Sequence, residues 1–491
     1  MAGGFVVVLT NGGGGRIPKR ARLDDGSQFG HAQNRFDGRV VSAPADVDRA
    51  RAARDNLGVK RAHLWLLPVL LIILVGGGYY FTFRAKSQDR ELPVYIAGAE
   101  RMAAGEEIYR RGTDAKPFTY PPFAAVPFWP LSWFSTTWQP AAWFVVNFVI
   151  LLLLVRWLHQ FARGAVPGAG PPRIVWFWIL TVLIGGRHVL SVLANQSHDL
   201  LIAGLVGLTA WAWCKRGESA SIWAGVSAGI GGAVKATPLL FVGLFALRKN
   251  TLAAVLVLFT FLCLSLLPDF WFPRVDGGSW LKAWYNVNLA VLDVGGTASA
   301  EGAWNSHSVL NQSLTGTLTR LFRPVETPSE FAIGDKGAVL LLELPTGMFR
   351  VVSLLAQLGV LALITFGVLA AARVVRGAAD AAAAQRVVGL GEVAAIACGM
   401  VLLSPQSSKS HFCIWLFPAA YVVDRLLRYR RDAWAIVLLV SAAIMGLCSK
   451  ELLGTGLGNW VLGYGNVTWC TLLLLWATVR CLRQTAVKAP K

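Results

Sequence analysis

Long apolar runs recur along this chain, on the scale needed to cross about 30 Å of hydrocarbon. The first occupies 63–83, and others centre on 143–158, 174–193, 252–267, 351–371, 393–403, 433–447 and 469–479. A backbone in lipid has no water to bond, so each crossing segment must satisfy its own N–H and C=O groups. Runs of this length therefore read as helices. A transmembrane barrel would show alternation over about ten residues instead. The 491 residues are 55% hydrophobic and only 15% charged, against about 25% charged in a soluble domain. The expected fold is an all-α polytopic membrane protein.

The net charge of +19 would suit a nucleic-acid binder if the basic residues formed one patch. They fall in short loops between apolar runs: Lys215 and Arg216, Arg248 and Lys249, 373–376, and 425–431. That is the positive-inside pattern of a membrane protein, so no nucleic-acid partner is expected. The seven cysteines lie in or beside apolar runs without a CxxC pair. They read as small buried hydrophobes rather than a zinc site or disulfide framework.

Residues 1–62 are rich in Gly, Arg and Asp and read as a disordered basic cytoplasmic tail. The apolar stretch at 5–9 is too short, and lacks the preceding basic residue, for a secretory signal peptide. A membrane domain follows at 63–480, then a cytoplasmic tail at 481–491. Outer loops are expected at 84–138 and 269–350. Within the first, 120–134 is apolar but short and holds Pro121, Pro122, Pro127 and Pro130. It reads as a re-entrant or interfacial piece, which is tolerated at depth where it lines a cavity. The later spans are expected near 139–158, 174–193, 199–214, 251–268, 351–372, 388–403, 411–424, 433–448 and 464–480. Two short helices, 221–234 and 237–247, should meet near Lys235. The total is about twelve spans with both termini inside, in the plasma membrane.

This topology sends the unusual polar residues to the outer side. A charge at membrane depth costs about 2.5–3.5 kcal/mol on insertion scales, so it is rarely idle. Asp89 and Glu91 follow the first span, with Tyr95 and later Tyr120. An acid there suits a general base for a sugar hydroxyl, and solvated loop charges are the competing reading. Asn195, Gln196, Ser197, His198 and Asp199 sit between two apolar runs, near Arg187 and His188. They offer amides and a His/Asp pair to sugar hydroxyls, or simply a bonded helix–helix turn. Lys235 stands between two apolar halves among glycines and Pro238. It suits a lipid phosphate, against snorkelling to the interface. Asn311 and Gln312 lie in a polar, aromatic stretch beginning at Trp304, and Lys409 and His411 close a Ser-Pro segment at 404–411. Cations at the latter would neutralise a leaving phosphate.

In order and spacing these segments resemble glycosyltransferase family 87, the class C, polyprenyl-phosphate-mannose-dependent α-mannosyltransferases. The likeness covers roughly 88–430. It rests on Glu91, Val94 and Tyr95 with Gly105, Ile108 and Tyr109; on Tyr120, Pro121 and Pro122 with Pro127 and Pro130; and on Asn195 and Gln196. It continues through Ala224, Gly225, Lys235 and Pro238, then 311–314, then Leu403, Ser404, Pro405 and His411. The resemblance implies a GT-C-like fold whose extracytoplasmic loops form the active site. The family's base is an aspartate four residues before a tyrosine; Glu91 occupies that position here, with Asp89 as the fallback. The family's glycine before the glutamine is Asn195, and its Trp and first His of the Ser-Pro motif are Ser408 and Ser410.

The implied activity is inverting transfer of a hexose, mannose by resemblance, from a polyprenyl-phosphate sugar to a lipid or glycan acceptor. Glu91 or Asp89 would be catalytic. Lys235, Lys409, His411 and Arg187 would bind the donor phosphate, and Tyr95, Tyr120, Gln196, His198, Asn311 and Gln312 the sugar or acceptor. Neither a nucleotide-binding glycine loop nor a DxD-like metal cluster is seen, so no cofactor or metal is expected. A transporter or flippase of a lipid-linked sugar would share the basic, aromatic cavity without needing a base. A membrane scaffold or sensor would not account for the outer polar motifs.

Overall fold

The computed structural model describes residues 71–84, 90–110, 116–164, 173–292, 306–325, 339–429 and 432–484. All belong to the second of the chain's two units, 69–491. The expected tail at 1–62 and Asp89 lie outside the described residues.

Among the described residues every regular element is helical. The order begins with α1 (Leu71–Phe83) and α2 (Leu92–Ala103), then a 3-10 helix at Pro122–Trp133. Next come α3 (Gln139–Arg163), α4 (Ile174–Asn195), α5 (Asp199–Trp213), α6 (Glu218–Val234), a 3-10 turn at Thr237–Leu240, and α7 (Phe241–Leu247). They are followed by α8 (Thr251–Trp271), α9 (Trp280–Trp284), α10 (Leu314–Phe322), α11 (Thr346–Gly377) and α12 (Ala381–Leu402). A 3-10 helix at His411–Trp415 leads into α13 (Leu416–Arg428), α14 (Ala433–Leu447), α15 (Lys450–Gly463) and α16 (Asn466–Gln484). The last helix runs past residue 481 to Gln484.

Among the described residues five helices, α3, α4, α8, α11 and α12, are long and apolar enough to cross a membrane. The number rises to six if α14 and α15, bent by 88° at their junction, count as one broken span. The expected twelve crossings would need shorter apolar helices such as α5 to cross as well. At 15 residues, α5 reaches about 22 Å. The proline-rich piece is a 12-residue 3-10 helix with Pro127 and Pro130 inside it. Each proline removes an N–H from the α ladder. Straight, it would reach about 24 Å, short of about 30 Å of hydrocarbon.

The centre of the bundle is α12, 94% of whose most apolar window is buried. Its alanines and glycines let α11, α13 and α16 pack closely on it. The tightest pair is α6 with α8. A methyl added at Gly225 would stand 2.7 Å from the Ala253 carbonyl oxygen, and one at Gly229 would stand 2.6 Å from Thr260 Cβ. Small residues four apart allow this backbone approach where lipid gives helices no hydrophobic drive to associate. Side chains cap several helices: Asn250 accepts from Ala253 N at 3.0 Å, and Asp380 accepts from Ala382 N and Ala383 N at 2.9 Å each. Each such cap contributes about 1 kcal/mol.

One buried polar knot ties α12 to α5 and to the end of α7. Glu392, fully buried, pairs with Arg248 and accepts from Trp213 Nε1 at 2.8 Å. Arg248 also donates to Gln385 Oε1 at 2.6 Å, and Gln385 Nε2 donates to the Trp213 carbonyl at 2.8 Å. Removing one partner of a buried pair strands the other, at about 3–5 kcal/mol. Glu392→Ala is therefore expected to lower the thermal midpoint of the detergent-purified protein well below wild type. A midpoint unchanged from wild type would mean the knot carries no stability.

Candidate active site

Three helix ends meet at the pole of the bundle away from the basic loops Lys215/Arg216 and Arg248/Lys249. The carboxyl-terminal end of α4 turns through Gln196, held in the left-handed region at φ 54°, and delivers His198 and Asp199 to the head of α5. The end of α6 breaks at Lys235, whose backbone is extended at φ −152°, because Pro238 opens the next turn. A proline cannot donate to the preceding turn, so the helix stops short of it. The third approach is the start of α2, where Glu91 N–H donates to the Asn195 carbonyl at 2.8 Å.

A small cleft between the head of α5, the Lys235 turn, the end of α12 and the Ser-Pro segment is lined by Asp199, Lys235, Thr237, Ser404, Ser407 and His411 among others. Asp199 organises it. One carboxylate oxygen accepts from Lys235 Nζ at 2.8 Å, and the other accepts from Ser197 Oγ at 2.6 Å. His411 Nε2 stands 3.8 Å from that second oxygen. Ser408 N–H donates to His411 Nδ1 at 3.2 Å. That bond leaves Nε2 as the protonated nitrogen of a neutral ring, so His411 presents a donor to the cleft rather than a cation. Lys235 carries three N–H bonds and has one visible acceptor, leaving donors for an anion.

Glu91 sits beside this cleft, partly buried. Tyr95, one turn into α2, donates its hydroxyl to Glu91 Oε2, and His198 Nδ1 lies 2.7 Å from the same hydroxyl. His198 is held edge-on by two tyrosine rings, Tyr95 at 4.8 Å and Tyr120 at 4.4 Å between centroids. Burial, and then the nearby Asp199 carboxylate, push the Glu91 pKa up; the Tyr95 hydrogen bond, Lys235 and Lys116 pull it back. A carboxylate raised toward neutrality is a better base than an exposed one.

The remaining sequence candidates separate from this group. Arg187 donates to the Gly446 carbonyl and Lys409 pairs with Glu451, where the lysine side chain is 39% exposed. Neither lines the cleft that Lys235 and His411 share. Asn311 donates to the Pro405 carbonyl at 3.0 Å and accepts from Ser407 N at 3.1 Å. Gln312 donates to the Val309 carbonyl at 2.7 Å and the Leu462 carbonyl at 2.8 Å. Both amides are buried; that of Asn311 braces the Ser-Pro loop, and Gln312 reaches it through its backbone N–H, which donates to the Ser407 carbonyl at 2.7 Å. Gln196 is buried near Trp143 and Asn147, around a smaller pocket.

Sequence reading offered Asp199 to sugar hydroxyls rather than to Lys235 and His411, and it did not single out Lys116. Asp199 had a signal, since a carboxylate heading an apolar run is costly unless paired. Lys116 had none: its charge bears on Glu91 only through the folded path of the first outer loop. A second, apolar cleft borders the turn after Lys235. Ala236 and Leu239 of the Lys235 turn form one wall, and Phe261, Leu281, Trp284 and Tyr285 form others.

The family model for glycosyltransferase family 87 matches residues 118–405. A Polyprenol-phosphate-mannose-dependent alpha-(1-2)-phosphatidylinositol mannoside mannosyltransferase from Mycobacterium tuberculosis (strain ATCC 25618 / H37Rv) is similar. It is 26% identical over 418 residues, which span 81% of this chain and 84% of the relative. No solved structure matches.

Proposed function

This chain belongs to glycosyltransferase family 87, and from that premise we propose that it moves mannose from a polyprenyl-phosphate donor to a lipid or glycan acceptor. The observation that carries the reading is a cleft lined by Lys235 and His411, with the Glu91 carboxylate near it and a separate apolar cleft bordered by Ala236 and Leu239 of the turn after Lys235. A lipid-phosphate sugar needs all three: a place for the phosphate, a base for the acceptor, and a groove for the tail.

In this reading the donor phosphate lies against Lys235 and His411, with its polyprenyl chain along Leu239, Phe261 and Trp284. Glu91 takes the proton of an acceptor hydroxyl as that oxygen bonds to the anomeric carbon. The carbon's bond to the phosphate oxygen breaks, and the lipid phosphate leaves with the electron pair. Lys235 Nζ and His411 Nε2–H stabilise the departing charge, where fixed donors in a site of low dielectric act most strongly. Asp199 holds Lys235 in place. Attack from the face opposite the phosphate inverts the anomeric centre. Asp89 is the alternative base, and Lys409 and Arg187, which do not line this cleft, are the further candidate cations.

The same reading places the site outside the cytoplasm of a plasma-membrane protein of about twelve crossings, with both termini inside, by the distribution of basic loops. A transporter reading would need no base, and the family match does not favour it.

The decisive assay offers purified protein radiolabelled polyprenyl-phosphate-mannose, its glucose counterpart and a panel of lipid and glycan acceptors. The expected result is labelled acceptor formed from the mannosyl donor with release of polyprenyl phosphate. Tight donor binding without transfer to any acceptor would favour transport instead.

A further inference from the structure

We propose that His198 is a positioning residue that acts through Tyr95 to keep Glu91 an ionised, oriented base. The inference rests on the reading of Glu91 as the base and adds a three-member relay to it. Its starting point is hydrogen count. A tyrosine hydroxyl has one hydrogen, and Tyr95 gives it to Glu91 Oε2. The contact of 2.7 Å between Tyr95 Oη and His198 Nδ1 is then a hydrogen bond only if His198 donates. His198 is therefore the Nδ1–H tautomer, and its Nε2 carries a lone pair. That nitrogen is buried and has no partner among the described residues, as a ring oriented from its other nitrogen would leave it.

The order of donors has a chemical consequence. His198 N–H withdraws electron density from the Tyr95 oxygen, which makes its O–H a stronger donor to the carboxylate. Chains of this kind polarise one another in a low-dielectric setting. A stronger donor favours the charged form of Glu91. It opposes the two influences that push the other way, burial and the neighbouring Asp199. The other charged groups facing Glu91 are Lys235 and Lys116, while His198 itself faces Asp199, Lys235 and His411. Burial drives the His198 pKa down to about 3, so the ring stays neutral and keeps one tautomer across the working range. The two flanking tyrosine rings, set at 85° and 80° to the imidazole, hold it against rotation. Glu91 is tied from the same segment, since its N–H bonds to Asn195 three residues before His198. One turn of chain thus fixes both ends of the relay.

The test is the pH dependence of kcat/KM for sugar transfer, measured on the full-length purified protein and on three variants. In His198→Leu the donor to Tyr95 is lost, Glu91 binds its proton more tightly, and the acid limb moves up by about one pH unit. Activity should return toward wild type on the alkaline side. His198→Asn places an amide N–H near the position of Nδ1 and should restore the wild-type limb. Tyr95→Phe, which removes only a hydroxyl, should shift the limb in the same direction as His198→Leu. It also keeps the test open if the leucine variant does not fold. Limbs that coincide with wild type in both His198→Leu and Tyr95→Phe overturn the relay, as does an asparagine variant displaced as far as the leucine one. A simple packing role would lower activity equally at every pH. Glu91→Gln, assayed alongside, separates the two ideas. An active Glu91→Gln removes the base reading itself, whereas an inactive Glu91→Gln with unshifted limbs removes only His198.

Discussion

Glu91→Gln is expected to lose sugar transfer by about two to four orders of magnitude while still binding the polyprenyl-phosphate donor. The substitution is nearly isosteric. The amide oxygen still accepts from Tyr95, and the backbone bond to Asn195 is untouched. What disappears is the capacity to take a proton. The loss should therefore appear in kcat, with the donor KM within a fewfold of wild type, because the proposed phosphate contacts at Lys235 and His411 do not involve residue 91. Transfer rates and donor binding on the same preparation decide it. Full turnover in this variant would take the base assignment from Glu91 and give it to Asp89. A matched loss of donor affinity would place Glu91 in binding rather than proton transfer.

The helical, membrane-type fold was open to sequence reading because its cause is local: apolar runs of a given length and a bias of basic residues between them. The break at Lys235 was likewise readable, from Pro238 and the glycines before it: α6 ends at Val234 as expected, while 237–240 form a 3-10 turn and α7 begins only at Phe241. The grouping of cations was not. Lys235, His411, Lys409 and Arg187 all occur at polar interruptions of apolar sequence, and nothing in their spacing says which share a cleft. His411 and Lys409 are two residues apart, yet one faces Asp199 and the other pairs with Glu451. That division depends on how the 3-10 turn at His411–Trp415 is rotated against α4. Helix α15 was also hidden. It carries a glycine at φ 77° inside it and leaves α14 at 88°, so its apolar residues follow no single helical stripe. Asn311 and Gln312 illustrate the opposite difficulty. Their polarity marked them as ligand-facing, but buried amides serve equally well to satisfy loop carbonyls, and here they do.

Lys235 tests the other half of the site, and its two roles must be separated to do so. The lysine balances Asp199, whose side chain is 4% exposed, and in the proposed reaction it also receives the phosphate. Lys235→Met removes both contributions. It should lower transfer about 100- to 1000-fold and also destabilise the protein by about 3–5 kcal/mol, since Asp199 is left buried with only Ser197 and the more distant His411. A loss of activity in that variant alone would thus be ambiguous. Adding Asp199→Asn removes the stranded charge: the asparagine can still accept from Ser197, and the thermal midpoint should return most of the way to wild type. Activity should not return with it, because the phosphate still lacks its cation. Transfer that recovered together with stability would show that Lys235 exists to neutralise Asp199, and the phosphate would then have to be held by His411 or by the cations outside this cleft, Lys409 and Arg187. Persistent inactivity in a stable double variant, with a raised donor KM, would fix the leaving phosphate at the broken end of α6.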